Sequence, residues 1–319
     1  MKKKLRLKKI IFLFFFSILI VKFFNEENLK YSYSKIRESE VLRYPYHKLR
    51  DLLVLKDMIF IDKNVYKNQL KKYDCLPELI EEIPNQSSLI IGHAYGRATF
   101  RRYSNSVSPY VNNFIKKNKT KIKTLFFTGD VFNFPTSKKW QNIFDNYKKD
   151  IEILIIPGNH DVGHNNDNPR RNIFNNEVSK YQSIDFPYLI KRSGFNIILD
   201  DSTVGNSIFD SNNDFLNKFA TTEKKLLVLR HHILIEEMQK NSGKTLIYFN
   251  KKVIKNKFKS FEDVSFISGN GGQRKKNDRV ACLKHDKFTH ILNGIGDVKN
   301  DNVLVLHNGN IYRYEINNF

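Results

Sequence analysis

Short, uninterrupted apolar runs limit what this chain can fold into more than any other feature does. They recur from residue 86 onward, and each ends in glycine or histidine: SLIIGHAYG, KTLFFTGDVFN, IEILIIPGNHD, KKLLVLRHHIL and VSFISGNGG. Such runs are typical of strands that are buried on both faces. Helical stretches such as SKKWQNIFDNYKKD lie between them. The pattern therefore predicts an α/β fold in which helices cover a buried sheet.

A tight hairpin is predicted near the C-terminus. Asn308 and Gly309 separate two strand-like runs in NVLVLHNGNIYRYEI. Asn-Gly favours the type I′ turn, because both central residues of that turn need a positive φ. These two runs are therefore expected to pair as antiparallel strands.

Composition sets the class of protein and leaves its partner open. A chain of 319 residues with 40% hydrophobic residues is long enough to bury one large core or two modest ones. Cys75 and Cys282 are too few for a disulfide framework and lack the paired spacing of a zinc knuckle, which leaves room for one bridge. The net charge of +21 fits an anionic partner, whether nucleic acid, anionic lipid or a phosphorylated substrate. Because the lysines are scattered, a lysine-rich surface without a partner explains the charge equally well.

Residues 1–29 are expected to form a signal anchor or a signal peptide. The basic cluster MKKKLRLKK precedes an apolar run, Ile10 to Val21, which is shorter than the ~20 residues of a comfortable membrane span. Phe23 and Phe24 prolong this run, and no small-x-small cleavage site is evident before NEENLK, so an uncleaved anchor is favoured. Basic residues stay on the cytoplasmic side. The chain is thus expected to be a single-pass protein of the cell membrane with its C-terminal domain outside the cytoplasm, or a secreted or periplasmic protein after cleavage.

Residues 30–85 are expected to form a helical linker or N-terminal extension, and residues 86–319 the domain that carries the chemistry. The first of these segments contains charged helical pieces and the breaks at Pro77 and Pro84, but no polar cluster that suggests a site. The second contains all of the apolar runs quoted above.

Polar side chains follow several of the predicted strands at the point where each strand ends. Asp130 follows FFTG, Asn159 and His160 follow the turn at Gly158, and His231 follows LLVLR. In an α/β sheet the loops at the carboxyl ends of the strands converge on the ligand site. Carboxylate, amide oxygen and imidazole together suit Mn, Fe or Zn, and one carboxylate can bridge two ions about 3.5–4 Å apart. One or two divalent metal ions are therefore the expected cofactors.

These blocks resemble the calcineurin-like metallophosphoesterases. The order is Gly-Asp, then Gly-Asn-His-Asp, then His-His after an apolar run, and PGNHD downstream of FFTGD is its most specific part. The resemblance covers residues 88–319 and identifies the segment 86–319 as a metallophosphoesterase-like domain. It implies a four-layer α/β/β/α sandwich with two central mixed β-sheets. It also implies an enzyme that hydrolyses a phosphomonoester or phosphodiester through a metal-activated hydroxide.

The resemblance assigns roles to individual residues. Asp130 matches the aspartate that bridges two metals, and Asn159 and His231 match ligands of the second metal. His160 matches the histidine that contacts the phosphate and protonates the leaving oxygen. Asp161 matches the residue that orients this histidine.

Two blocks depart from the family pattern. The first, Asp-x-His in the family, reads GHAYG here and offers His93 and Tyr95. The last, Gly-His-x-His in the family, reads GNGG, where Asn270 offers an amide oxygen and Gly272 offers no side chain. The second-metal set is therefore largely intact, whereas the first metal is expected to bind weakly through His93 and the shared Asp130.

Other polar residues have interpretations without chemistry. Asp and Asn after glycine are common turn formers, although three blocks in the right order make a turn the weaker interpretation of the motifs. Arg97, Arg101 and Arg102 fit a solvated helix face as well as they fit a phosphate contact. The remaining candidates are expected to be structural or solvated: His164 in a loop, His232 as a buried partner, His285, His290 and His307 in the framework, and Asp200 and Asp201 in a solvated turn.

Three functions stay open. The leading one is hydrolysis of a phosphorylated small molecule or another phosphoester substrate. The second is a catalytically inactive relative that serves as a binding or scaffolding module, which the departures in the first and last blocks favour and the survival of His160 and Asp161 opposes. The third is a binder of nucleic acid or of an anionic surface. It lacks a groove-reading motif and an aromatic platform, so nucleic acid is not expected as a partner. The membrane is an expected partner through the N-terminal anchor.

Overall fold

A computed structural model of the chain describes residues 75–96, 107–163, 168–203, 205–209, 214–217, 223–235, 238, 249–271, 280–296 and 300–317. These residues belong to the second of two compact units, Tyr66–Phe319, and the first unit is Met1–Val65. The expected anchor at 1–29 and the expected helical extension up to residue 74 lie outside the described residues. Within the described ranges, no helix combines the length and the apolar character that crossing a bilayer requires.

Two mixed six-stranded β-sheets form the centre of the described fold. The first sheet contains β1 (Glu78–Leu79), β2 (Ser87–Ile91), β3 (Ile122–Thr128), β4 (Glu152–Ile156), β11 (Asn300–His307) and β12 (Asn310–Asn317), in the spatial order β1-β12-β11-β2-β3-β4. The second contains β5 (Tyr188–Arg192), β6 (Phe195–Asp200), β7 (Lys225–Arg230), β8 (Asp263–Ser268), β9 (Ala281–His285) and β10 (Phe288–Leu292), in the order β5-β6-β7-β8-β10-β9. β2, β3 and β4 run parallel, and so do β6, β7 and β8. The carboxyl ends of these strands therefore share one end of each sheet.

Helices cover the outer face of each sheet. α1 (Pro109–Asn118), α2 (Ser137–Tyr147) and α4 (Pro169–Val178) contribute side chains to the apolar cluster on the first sheet, and α6 (Lys251–Lys257) contributes to the cluster on the second. Two shorter helices, α3 (Asn159–Val162) and α5 (Asp214–Asn217), lie in connections between strands. The expected four-layer α/β/β/α sandwich is confirmed.

The sequence of α2 shows why such a segment becomes an outer helix. Its buried residues Trp140, Ile143 and Phe144 recur at the spacing of one helix face, so this face packs on the sheet. At its N-terminus the hydroxyl of Thr136 accepts a hydrogen bond from the backbone N–H of Lys139 at 3.3 Å. This bond satisfies one of the donors that a helix start leaves without an intrahelical partner.

Strand residues alternate between two apolar cores, which explains why the runs are continuously apolar. In β3, Leu125 and Phe127 pack against the helices, whereas Phe126 packs between the sheets. In β7, Leu227 packs between the sheets and Val228 packs toward α6. Full burial of a side chain of this kind contributes about 1.5–3 kcal/mol. The inner strands are covered on both faces, so most of their residues are apolar, and the few polar ones, such as Thr124 and Ser265, are buried.

The predicted hairpin is confirmed. Residues His307 and Asn310 are in register at the ends of β11 and β12. Between them Asn308 has φ 49° and Gly309 has φ 73°, so both central residues have the positive φ that a type I′ turn requires.

The compact fold begins before residue 86. Glu78 of β1 is in register with Tyr312 of β12, so residues N-terminal to the expected boundary form the edge of the first sheet. Cys75 forms a disulfide with Cys282 of β9, which lies at an edge of the second sheet. The single bridge that the cysteine count allowed is therefore present, and it joins the two sheets. Residues 75–85 are part of the sandwich edge and not of a separate helical extension.

Candidate metal centre

Sharp turns after β2 and β3 bring His93 and Asp130 together. Their φ angles are 52° and 55°, and Gly129 has φ 83°. A positive φ at a residue other than glycine costs about 1–3 kcal/mol, so the surrounding contacts must hold these two turns in place. The backbone N–H of His93 donates to the carbonyl of Gly129 at 3.0 Å. Both side chains are buried, with exposed fractions of 1% for His93 and 2% for Asp130.

Glycines let the loops from neighbouring strands approach each other closely. A Cβ atom at Gly158 would lie 2.1 Å from the backbone nitrogen of Asp130, and one at Gly269 would lie 1.8 Å from the carbonyl oxygen of Thr128. No larger residue fits either position without moving the backbone. The sequence blocks TGD, PGNHD and SGN therefore meet because each contains a glycine at its turn.

Donor atoms from three strand ends converge on the carboxylate of Asp130. Its Oδ1 lies 3.4 Å from Nε2 of His231, and its Oδ2 lies 3.8 Å from Nε2 of His93. The amide Oδ1 of Asn159 lies 3.1 Å from the same Nε2 of His231. Sequence reasoning placed all four residues at one site, and the structure brings them together.

The contacts of Nδ1 in the two histidines indicate which ring nitrogen faces Asp130. Nδ1 of His231 lies 3.2 Å from the carbonyl oxygen of Thr128, and Nδ1 of His93 lies 3.1 Å from that of Ile295. A carbonyl only accepts, so in a neutral ring the proton is on Nδ1 and the lone pair of Nε2 points toward Asp130. This carbonyl contact from the other ring nitrogen is the usual arrangement of a metal-binding histidine.

The spacing of these donors fits a metal ion. Bonds of about 2.0–2.2 Å from a metal to oxygen or nitrogen place neighbouring ligands about 3.0–3.5 Å apart, and Nε2 of His231 has that spacing from Oδ1 of Asp130 and from Oδ1 of Asn159. Lone pairs that face one another at this distance repel, and a cation between them removes the repulsion. No group of three or more His, Cys, Asp or Glu side chains among the described residues is placed to hold a metal. With Asp130 and His231, the third donor is therefore the amide oxygen of Asn159.

His160 lies beside this donor set and is partly buried. Its backbone N–H donates to Oδ1 of Asp130 at 2.9 Å, and its carbonyl accepts from Arg170 at 2.7 Å. The His160 ring meets the ring of Tyr95 edge to face, with the centroids 5.6 Å apart. Tyr95 in turn packs against His93 at 4.1 Å. Tyr95 therefore contacts the rings of both histidines.

Asp161 fixes the backbone of two loops. Its buried carboxylate accepts from the N–H groups of Val131, Phe132 and Gly158 at 2.9–3.1 Å. Burial and the nearby Asp130 raise the pKa of Asp161 to about 7, and the three N–H donors oppose that rise. These contacts do not include the His160 side chain, which Asp161 was expected to orient. The first turn of α3 instead directs the carboxylate back toward the loop after β3.

The other residues of the degenerate blocks lie next to the site. The backbone N–H of Asn270 donates to the carbonyl of His231 at 3.1 Å, and the Asn270 side chain is partly buried. Tyr95 is 5% exposed. Gly272 is outside the described residues, as are His164 and the three arginines at 97, 101 and 102.

Sequence reasoning missed the charged residues that support the second sheet. Asp200 forms an ion pair with Arg230 at 3.0 Å, and both side chains are fully buried. Burial lowers the pKa of Arg230, and Asp200 opposes that shift. Asp201 pairs with Arg171 at 2.8 Å. The expectation that Asp200 and Asp201 lie in a solvated turn is therefore wrong. The sequence held one signal of this burial, a charged residue at the end of each of two buried strands, β6 and β7, which are neighbours.

Histidines outside the site have framework contacts, as expected. Nδ1 of His232 lies 2.7 Å from the carbonyl oxygen of Ser202. His290 stacks on Phe266 with the ring centroids 4.9 Å apart. Burial is the main cause that lowers the pKa of His290 to about 3. His290 is therefore neutral near pH 7.

Comparisons with known proteins identify the same region. A family model described as calcineurin-like phosphoesterase matches residues 105–314. This range includes Asp130, Asn159, His160 and His231 and leaves out the GHAYG block with His93. No curated protein shows significant similarity to the chain.

One solved structure similar to the chain is a purple acid phosphatase from seeds of yellow lupin (Lupinus luteus). The two chains have 12% identity and a TM-score of 0.47, and the match covers 72% of this chain and 53% of that one. The chain thus spans about half the length of the lupin protein. A protein of Thermotoga maritima has 11% identity, a TM-score of 0.33 and coverage of 73% and 99%. A conserved uncharacterized protein of Streptococcus pneumoniae, described as a predicted phosphoesterase, has 10% identity, a TM-score of 0.28 and coverage of 72% and 97%.

Proposed function

Because this chain belongs to the calcineurin-like phosphoesterase family, we propose that it is a metal-dependent hydrolase of a phosphate monoester or diester with one firmly held ion and one weakly held ion. The observation that carries the proposal is the convergence of Asp130, Asn159 and His231, with Nε2 of His231 oriented toward the two oxygen donors. The donor set favours Mn, Fe or Zn. A divalent ion bound there would supply Lewis-acid chemistry. It would draw charge from phosphoryl oxygens and lower the pKa of the water molecule that attacks phosphorus.

The residues around this position have separate tasks. Asp130 holds the ion and also fixes the backbone of His160 through the 2.9 Å bond to its N–H. The His160 ring is partly exposed beside Asp130, where it can give a proton to the leaving oxygen. Asp161 keeps the two loops in place through three backbone N–H groups.

The first metal position is proposed to be weak. It is supported by His93 and the other oxygen of Asp130, which lie 3.8 Å apart, and Tyr95 packs against His93 where the family pattern has a histidine. Asn270, whose backbone N–H donates to the carbonyl of His231, is instead a candidate fourth ligand of the firm position. A neutral tyrosine is a poor substitute for imidazole as a metal ligand.

Metal analysis of the purified chain tests the proposed function. We expect one ion per chain to survive dialysis and a second to bind only when Mn²⁺ is in excess, with activity on generic phosphomonoesters or diesters rising as the weak position fills by mass action. Metal content and anomalous scattering measure occupancy independently of activity. Two ions that do not exchange would contradict the weak position, and no bound ion in excess Mn²⁺ would contradict the proposed chemistry.

Replacement of His160 by alanine should lower turnover by about 10²-fold or more, the size expected for loss of a general acid. Metal content should stay the same, because the contact with Asp130 comes from the backbone N–H of His160 and alanine retains it. His307→Ala is the matched control, since His307 lies in the hairpin and contacts Ser87 at 3.4 Å. Equal turnover of His160→Ala and the parent would remove the acid role.

An inactive binding module is the second candidate function. The observation that favours it is the contact of Tyr95 with His93, because Tyr95 stands where the family pattern supplies a histidine ligand. Such a module would bind phosphoesters or phosphate without turning them over. Binding of phosphate without hydrolysis at any metal concentration would decide in its favour.

We also propose that the domain lies outside the cytoplasm, anchored in the cell membrane by residues 1–29 or released after cleavage. The disulfide between Cys75 and Cys282 supports this location, because such bonds persist in oxidising compartments. The order of basic and apolar residues at the N-terminus supports it as well. A reporter fused after residue 40 should be active only outside the cytoplasm, and activity confined to the cytoplasm would refute the location.

A further inference from the structure

The donor set is built across the two sheets. Asp130 and Asn159 follow strands of the first sheet, whereas His231 follows β7 of the second. The distance of 3.1 Å between Oδ1 of Asn159 and Nε2 of His231 therefore depends on how the strand ends of one sheet are held against those of the other. Two consecutive arginines at the start of α4 make contacts that control this separation.

Arg170 is bound on the side of the first sheet. Its Nη1 donates to the carbonyl of His160 at 2.7 Å, and its Nε donates to Oδ1 of Asn168 at 3.3 Å. The residue is only 7% exposed. The start of α4 is thereby fixed to α3, the short helix that begins at Asn159.

Arg171 is bound on the side of the second sheet. Its Nη1 donates to Oδ2 of Asp201 at 2.8 Å, and its Nη2 donates to the hydroxyl of Thr203. Oδ1 of Asp201 accepts the backbone N–H of Thr203 at 2.9 Å, so both partners of the arginine are held in place. The side chains of Arg171 and Asp201 are 12% and 14% exposed. A forked, largely buried contact of this kind fixes geometry better than an exposed ion pair does.

Asp201 belongs to the strand end beside the histidine ligand. It follows Asp200, which is in register with Arg230, the residue before His231. Asp200 and Arg230 also form the fully buried ion pair. A shift of Asp201 would therefore be transmitted through β6 and β7 to His231.

We infer that Arg171 and Asp201 are a positioning pair that holds the donors of the two sheets at metal-binding distance and so sets the affinity of the site for its ion. The inference rests on the proposed function, because it concerns the same site. Contacts that orient metal ligands from outside change metal affinity about 10–100-fold when they are lost. The pair acts through α4 and β6, so it controls how tightly the ion is held and not the proton that His160 supplies.

Mn²⁺ affinity of the purified full chain tests the inference, measured from the electron paramagnetic resonance signal of free Mn²⁺. Asp201→Asn keeps the size of the side chain and removes its charge, and it should weaken Mn²⁺ binding by about tenfold or more. Asp201→Glu restores the charge and should recover part of the affinity. Turnover of Asp201→Asn at saturating Mn²⁺ should return close to that of the parent.

Glu152→Gln is the matched control. Arg192 donates to Glu152 at 3.0 Å, and this pair also joins β5 of one sheet to β4 of the other. Glu152 is the first residue of β4, whereas Asn159 follows the last, so the control variant should bind Mn²⁺ like the parent. Unchanged affinity in Asp201→Asn, or an equal loss in Glu152→Gln, overturns the positioning role and leaves the proposed function standing. A parent chain that binds no Mn²⁺ overturns both.

Discussion

Asp130→Asn should abolish phosphoesterase activity, by about 10³-fold or more, at every metal concentration. One oxygen of Asp130 lies 3.4 Å from His231 and the other lies 3.8 Å from His93, so this single carboxylate is proposed to serve both metal positions. An amide is neutral and has one acceptor oxygen, so it neither bridges two ions nor balances their charge. Added Mn²⁺ should not restore turnover of a nitrophenyl phosphate monoester or diester.

The same substitution should leave the metal-free fold intact. The amide retains the oxygen that accepts the N–H of His160 at 2.9 Å, and its nitrogen can donate to a histidine Nε2. Thermal unfolding of the metal-free variant, followed by circular dichroism, should therefore match the parent. Asp150→Asn is the control, because Asp150 is half-exposed and paired with Lys119 at 3.4 Å. Activity of Asp130→Asn that rises with Mn²⁺ would contradict the bridging role.

Replacement of Cys75 and Cys282 by serine should lower the free energy of unfolding by about 2–5 kcal/mol. The two cysteines are separated by 207 residues in the sequence, so the bridge restricts the unfolded chain over most of the domain. The free energy of unfolding of an ordinary domain is about 5–15 kcal/mol, so the loss of the bridge removes a large share of it. Guanidinium unfolding of the parent and the double variant measures the difference.

A reducing agent provides the control for this experiment. The parent under reducing conditions should unfold at the denaturant concentration found for the double serine variant, and the variant should not respond to the reducing agent. A parent whose unfolding midpoint is the same with and without the bridge would show that the connection contributes nothing to stability.

The layered fold and most of the donor set could be predicted because both depend on local sequence. Phe126 and Phe127 lie in a run without polar residues, and that run requires a strand covered on both faces. Asp130 and Asn159 follow such runs in two neighbouring parallel strands, which place both at one end of the first sheet, and His231 follows such a run in the second sheet.

The missed features depend on contacts between residues that are distant in sequence. Asp200 and Arg230 each look like a charge at the start of a loop, and only the register of β6 with β7 places them opposite each other. Asp161 is next to His160 in sequence, but the turn of α3 directs its carboxylate toward Val131. β1 contains two residues, which is too short for any periodicity, and only its pairing with β12 assigns it to the sheet.

Both lateral edges of the sandwich are fastened. On one side the disulfide joins Cys75, just before β1, to β9, and on the other side Arg192 of β5 is paired with Glu152 of β4. The two sheets cannot separate at either edge without breaking the disulfide or the ion pair. Asp130 follows β3, which lies inside the first sheet, so the donor atoms around it lie between the two joined edges.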